Sequence, residues 1–396
     1  MKRTLAVLLP LALAACADGP SVPTAVEGPA ASSAPVAGDY VVVLKEGANP
    51  RSVAAVLGID PRFVYTAALN GFAGTLSAGQ LTALRNNPAV DYVEPDAPAR
   101  LFTTQSSPYS WGLDRVDQRS LPLSNAFTYT ATGAGVNVYI IDTGIRLSHL
   151  DFGGRAQYVP NGANGDFRGD GQGNGGDCHG HGTHVAGTAA GTYSGVAKAA
   201  TIWAARVLDC AGAGNVSMAI AAVDWITANG LRPAVVNMSL GYGNVQSMRD
   251  AVERSVAAGV VYAVAAGNGN FVGRPLDACT EAPAGAPNAL TVGSTTSSDA
   301  ESSFSNYGTC VDILAPGSTI MSSDFAGDDM LVTKSGTSMA SPHVAGVAAQ
   351  YLSLNPTATP AQVMSAVKSG ATPNAISLHR SSQRYGTPNL MLFTGY

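Results

Sequence analysis

The chain has 396 residues, long enough for two domains and a large core. Only 12% of them are charged, and a formal net charge of −5 with no basic stripe excludes nucleic acid as an expected partner. The low charge and the 45 glycines suit a loop-rich exported protein better than a cytosolic one.

The N-terminus opens with a positive stretch, "MKR", followed by an apolar run, "TLAVLLPLALAA", interrupted by Pro10. This predicts an export signal over residues 1–16, since the run is too short for a transmembrane helix. No later segment has the length and apolarity to span a membrane. Leu13-Ala14-Ala15-Cys16 resembles the lipobox of bacterial lipoproteins, which would put a lipid on Cys16. An ordinary A-x-A-type cleavage site with a chance cysteine is the alternative. Residues 17–38, rich in Pro, Ala, Ser and Gly, read as a flexible linker.

Residues 39–97 alternate strand and helix patterns. "YVVVL", "RFVY", "GFAGTLS" and "VDYVEPD" read as strands, and "PRSVAAVLG" and "AGQLTALRNN" as helices. The order β-α-β-β-α-β predicts a small α+β, ferredoxin-like domain. "APARLFTTQSSPYS" follows without periodicity, and residues 98–105 are read as a linker.

Residues 106–396 form the larger domain. "GVNVYIID", "ATIWAARVLD", "AVVNMSL", "VVYAVAAG", "ALTVGS" and "VDILA" are continuous apolar runs, the pattern of strands buried on both faces. "VSMAIAAVDWITANG" and "SMRDAVERSVAAG" read as helices between them. The expectation is an α/β fold, a doubly wound and mostly parallel sheet with its site at the carboxyl ends of the strands. Cys178, Cys210, Cys279 and Cys310 form an even set in an exported chain and allow three disulfide connectivities. Local pairing, 178–210 and 279–310, is the expected one.

Three stretches on this map can carry chemistry. "VYIIDTG" puts Asp142 directly after a buried strand, and "DCHGHGTHVAG" puts His181 before an apolar helix. "SGTSMASPHVAG" puts Ser338 at a helix start, where unpaired N–H groups and the positive dipole end collect. Pro342 is expected in the first turn of that helix, where its missing N–H is harmless. A serine there could be an N-cap. It could equally be a nucleophile, given an imidazole to take its proton and a carboxylate to hold the ring. "HGHGTH" could also hold a metal, but it lacks the H-E-x-x-H glutamate.

The motifs "DTG", "HGTHVAG" and "GTSMASPH", in the order Asp, His, Ser, resemble those of the subtilases, the subtilisin-like serine proteases. The likeness is to the proteinase K branch and to aqualysin-like enzymes. It runs on through "WGLDRVDQRSLPLSN", "VNMSLG", "AAGN", "SSFSNYG" and "GTPNL", and covers about residues 104–396.

The resemblance implies a triad of Asp142, His181 and Ser338, with His179 and His184 outside it and His184 structural. It implies an oxyanion hole formed by Asn268 and the Ser338 amide. Gly212-Ala213-Gly214 and Ser239-Leu240-Gly241 would be two backbone edges clamping an extended peptide. Ala265, Ala266 and Gly267 would wall the pocket for the residue before the scissile bond. No acidic residue stands in these wall motifs, so apolar and aromatic residues are the expected preference.

Structural Ca2+ is the cofactor the resemblance implies. One site would use Pro287, Ala289 and Asp312, and a second Asp114, Asp117, Gln118, Ser124 and Ala126. Residues 39–97 would be an inhibitory propeptide, cut near "PDAPARLFTTQSS" by Ser338 itself. The expected product is a secreted, monomeric endopeptidase acting on proteins and peptides. A lipid on Cys16 would anchor only the precursor at the cell envelope, and processing would free the enzyme. Two rivals are a peptide-binding pseudoprotease, against which the intact motifs argue, and an esterase. An esterase would carry its serine in G-x-S-x-G, whereas Ser338 lies in G-T-S-M-A.

Overall fold

A computed structural model describes residues 38–96, 103–169, 175–270 and 272–396. Cys16 with the rest of the export signal, residues 17–37 of the linker and residues 98–102 of the second linker lie outside the described residues. The chain divides into two compact units between residues 99 and 100.

The first unit has the expected order: strand Gly38–Leu44, helix Pro50–Val56, strands Phe63–Tyr65 and Gly71–Leu76, helix Ala78–Arg85 and strand Val90–Pro95. Its antiparallel sheet runs 63–65, 71–76, 38–44, 90–95. Local chemistry starts both helices. Asn49 caps the first, with Pro50 in its opening turn, and Ser77 and Gln80 form a capping box on the second. Val42, Leu44, Phe72, Leu76, Leu81 and Leu84 make its core.

In the second unit a nine-stranded sheet runs 372–373, 390–391, 313–316, 290–295, 261–265, 234–238, 137–142, 201–206, 156–158. All its pairs are parallel except 372–373 with 390–391. The apolar runs are buried on both faces, and their alternate residues feed two cores. Val138, Ile140, Val235 and Ala263 face one core, and Tyr139, Ile141, Val236 and Tyr262 the other. Helices Val216–Asn229 and Gln246–Ala257 cover the second core. Helices His181–Ala190 and Thr337–Leu354 are packed in the first. Cys178 pairs with Cys210, and Cys279 with Cys310.

Two expectations need correction. Residues 103–105, read as without periodicity, have regular structure: Thr103–Ser106 forms a strand antiparallel to Ala126–Tyr129. Its polar, exposed residues carry no apolar alternation to announce it. The helix carrying Ser338 begins at Thr337 with Gly336 as its N-cap, so Ser338 is no cap and Pro342 falls in the second turn. There the missing N–H does leave a carbonyl without its helical donor. No helix among the described residues is long and apolar enough to cross a membrane.

Candidate active site

The sheet ends at Asp142, the last residue of strand Asn137–Asp142, and its side chain is 0% exposed. A buried carboxylate needs donors. Thr143 N–H donates to Oδ1 at 2.7 Å, and His181 Nδ1 lies 2.8 and 3.0 Å from its two oxygens. That contact fixes the imidazole tautomer, with the proton on Nδ1 and the lone pair on Nε2. Burial pushes the His181 pKa down, but the Asp142 carboxylate outweighs this through charge and hydrogen bond, and the net direction is upward.

Short-range packing brings His181 to that point. A Cβ on Gly182 would lie 2.2 Å from Gly144 O, so only glycine lets the helix start press on the "DTG" turn. Asp177 then ties the turn together. It accepts from the amides of His179, Gly180 and Thr183 and from both the Thr143 and Thr183 hydroxyls. It is the effective cap of this helix, a role the sequence did not disclose. His184 Nε2 reaches Ile320 O and Val332 O, and burial drives its pKa down to about 3. His179 lies beside His181 with ring centroids 6.3 Å apart and does not touch Asp142.

Ser338 depends on a buried polar chain. Pro342 cannot donate to Ser338 O. Ser239 Oγ donates there instead at 2.8 Å, Asn237 Nδ2 donates to Ser239 Oγ at 2.8 Å, and Ser341 Oγ donates to Asn237 Oδ1 at 2.8 Å. Ser338 Oγ rests on the Ser239 carbonyl at 3.2 Å, and no hydrogen bond joins it to His181. Such a bond commonly tightens only when substrate arrives. Asn268 is oriented by Thr337, whose N–H and Oγ1 both donate to Oδ1, at 2.8 and 2.9 Å. This leaves Nδ2 facing outward. A Cβ on Gly336 would lie 3.3 Å from Asn268 Nδ2 and 3.6 Å from Ser338 N, so the two nitrogens lie close to each other beside Gly336.

Two cavities meet along the segment Leu240-Gly241. One, of about 420 Å³, is lined by His181, His179, Gly212, Gly214, Ser239, Leu240, Gly241 and Tyr242 among others. The second, of about 250 Å³, is lined by Ala265, Gly267, Asn268, Thr337 and Ser338 together with Leu240 and Gly241. Both expected backbone edges therefore converge on the site. The lining of the second cavity differs from the expected walls in two respects. Ala266 is fully buried and is not among its lining residues, its carbonyl held by Asn306 Nδ2. Glu281 lines the same cavity, although no wall motif contained an acid.

The two expected calcium sites differ in fit. Asp117 has one oxygen buried without a partner, and its pKa is raised to about 6 by burial and by neighbouring Asp114. A cation would relieve both effects, and of the other expected ligands Asp114 and Gln118 are linked through Ser124 by hydrogen bonds. Asp114 also accepts from Ser124 and Asn125, and Gln118 Oε1 from Ser124 N–H. Asp312 does not fit a divalent ion with Pro287 and Ala289. The Lys368 ammonium already stands 2.6 Å from its Oδ1, and Thr291 N–H donates to Oδ2. The chain carries its own cation there.

The Pro342–Ser239 relationship makes an expected outcome. Ser239→Ala should destabilise the protein by about 1–3 kcal/mol, because it leaves Ser338 O buried and unpaired. In a Pro342→Ala background the restored N–H can supply that bond, so the cost of Ser239→Ala should shrink. Urea unfolding of the four proteins measures the coupling, and additivity would refute it.

Comparison with known proteins gives the family. The subtilase family model matches residues 133–387, and the peptidase inhibitor I9 model matches residues 62–102. An extracellular serine proteinase of Thermus sp. (strain Rt41A) is 46% identical over 98% of this chain and 97% of its own length. A cuticle-degrading protease of Metarhizium anisopliae is 38% identical over 99% of this chain and 98% of its own. The crystal structure of a cold adapted subtilisin-like serine proteinase superposes with a TM-score of 0.66 at 46% identity, covering 72% of this chain and 98% of that one. With a family model spanning more than half its length and a relative matched almost end to end, the chain belongs to the subtilase family.

Proposed function

We propose that this chain is a secreted serine endopeptidase, made as a self-processing precursor, with Asp142, His181 and Ser338 as its triad. The observation that carries the reading is the buried Asp142 carboxylate on His181 Nδ1, beside a cleft that also presents Ser338. Ser338 Oγ leaves the Ser239 carbonyl and attacks the scissile carbonyl carbon while His181 Nε2 takes its proton. Asp142 holds the tautomer and stabilises the imidazolium. The new oxyanion sits where Asn268 Nδ2 and Ser338 N–H converge, at a helix N-terminus. The imidazolium returns its proton to the leaving amine, and water then hydrolyses the acyl-enzyme by the same route.

The peptide lies between the edges at 212–214 and 239–241, pairing through its main chain. Small walls at Ala265 and Gly267 admit apolar and aromatic side chains with broad tolerance. Extracellular release accords with the name of the Thermus relative. The inhibitor-family match supports residues 39–97 as propeptide. The lipid on Cys16 rests on the residues Leu13–Cys16 alone.

Three outcomes follow from this reading. Intact mass should show wild type losing about a hundred residues while Ser338→Ala keeps them. If both proteins are trimmed at one position, another protease does the processing. Asp142→Asn should lower kcat about 10⁴-fold. His181 acts as a base only when neutral, and Asp142 raises its pKa, so activity disappears as pH falls through that raised value. The variant's acid limb should therefore move to lower pH, and an unmoved limb would contradict the assignment. Calcium chelation should lower the melting temperature, and Asp117→Asn should abolish that difference. Asp312→Asn should change stability equally with and without calcium, because Lys368 is its partner.

A further inference from the structure

Glu281 is the one acidic residue among those lining the cavity beside Ser338. It follows the short 3-10 turn Ala278–Thr280, and its side chain is half-buried. Its backbone is fully engaged. The N–H donates to Ala278 O, and the carbonyl accepts from Gly285 N–H and from Arg249. Its carboxylate has no hydrogen-bond or ion-pair partner among the described residues. Arg249 packs against the Glu281 backbone. Its guanidinium is directed at the carbonyls of Cys279 and Glu281 and at Asn244 Oδ1, and makes no ion pair with the carboxylate. Asn306, on the same wall, makes no hydrogen bond to the Glu281 carboxylate. Its Nδ2 donates to Ala266 O, and its Oδ1 accepts from Gly269 and Leu276.

The cavity is therefore small-walled, with apolar contact offered by Leu240, Gly241, Ala265 and Gly267, and its lining includes a carboxylate with no hydrogen-bond or ion-pair partner among the described residues. A half-buried carboxylate without a partner is costly, and so is a cation placed in such a pocket alone. A long side chain with an apolar stem and a cationic tip satisfies both. Its methylenes lie along Leu240, Gly241 and Ala265, and its head meets Glu281.

We infer that Glu281 is a specificity-determining residue that lets this peptidase accept lysine or arginine immediately before the scissile bond, in addition to apolar residues. The inference rests on the proposed reading, in which this cavity receives that substrate residue. It concerns the substrate class and leaves the triad chemistry as described.

The test compares peptide p-nitroanilides that differ only in that residue, Lys, Arg, Gln, Phe, Leu or Glu, on wild type, Glu281→Gln and Glu281→Lys. Wild type should cleave the Lys and Arg substrates better than the Gln substrate. Glu281→Gln should cut kcat/KM for Lys and Arg by about 10–100-fold relative to Gln, as loss of a charge-assisted contact in a partly buried site does. Phe and Leu should stay within about threefold. Glu281→Lys should raise the Glu substrate relative to Lys. Equal Lys-to-Gln ratios in wild type and Glu281→Gln overturn the inference, as does an unchanged Glu-to-Lys ratio in Glu281→Lys. Labelling of Ser338 by a fluorophosphonate separates the two levels. If wild type is neither labelled nor active on any substrate, the peptidase reading itself has failed. If it is labelled and cleaves Phe and Leu but shows no charge dependence, only the role of Glu281 has failed.

Discussion

Helix Thr337–Leu354 is enclosed by the structure along most of its length, and that enclosure constrains everything around it. A buried helix has no water to satisfy its polar groups, so each must find a protein partner. Ser341 finds Asn237. Gln350 bridges Ala131 O, Val196 O and the Thr394 hydroxyl. The carbonyl that Pro342 leaves without a donor finds Ser239. Close neighbours then require small residues. A Cβ on Gly346 would lie 2.5 Å from Val196 Cβ and 2.8 Å from Ala189 O, so glycine permits the two central helices to touch. The same requirements that hold the helix in place hold Ser338 in place.

The second burial is electrostatic. Asp142 ends a strand surrounded by apolar residues and carries a full charge with no exposure. Its stability there comes from an oriented amide and an imidazole, not from a lysine or arginine. The carboxylate raises the His181 pKa and holds the ring by a hydrogen bond to Nδ1. Asp177 supports it from outside by capping the helix that delivers His181. At Asp312 the opposite solution is used, a direct ammonium partner, and the carboxylate is thereby occupied.

Much of this was legible in the sequence, because the informative signals are local. The β-α-β-β-α-β order, the doubly buried strands and the motifs around Asp142, His181 and Ser338 each sit in contiguous stretches. What escaped is long-range or polar. The strand Thr103–Ser106 has no apolar period. Glu281 lies 57 residues before Ser338 in a segment with no motif, and only folding brings it to the cavity. Ser239 was readable as backbone edge but not as hydroxyl donor, since nothing in "VNMSLG" says that Ser338 O lacks its helical partner. Asp312 was legible as a carboxylate beside carbonyls, but its pairing depends on Lys368, 56 residues later.

Ser239 joins these strands of reasoning. Its side chain holds the carbonyl of Ser338, and its own carbonyl accepts the Ser338 hydroxyl. It also begins the edge Ser239-Leu240-Gly241, which borders both cavities. A peptide pairing along that edge, as proposed, would act on the residue that fixes the serine backbone and accepts its hydroxyl. In the proposed mechanism, substrate binding and release of the Ser338 hydroxyl would be linked through these three consecutive residues. Binding energy collected along the edge can be spent locally on breaking one 3.2 Å hydrogen bond and making the bond to His181 in its place.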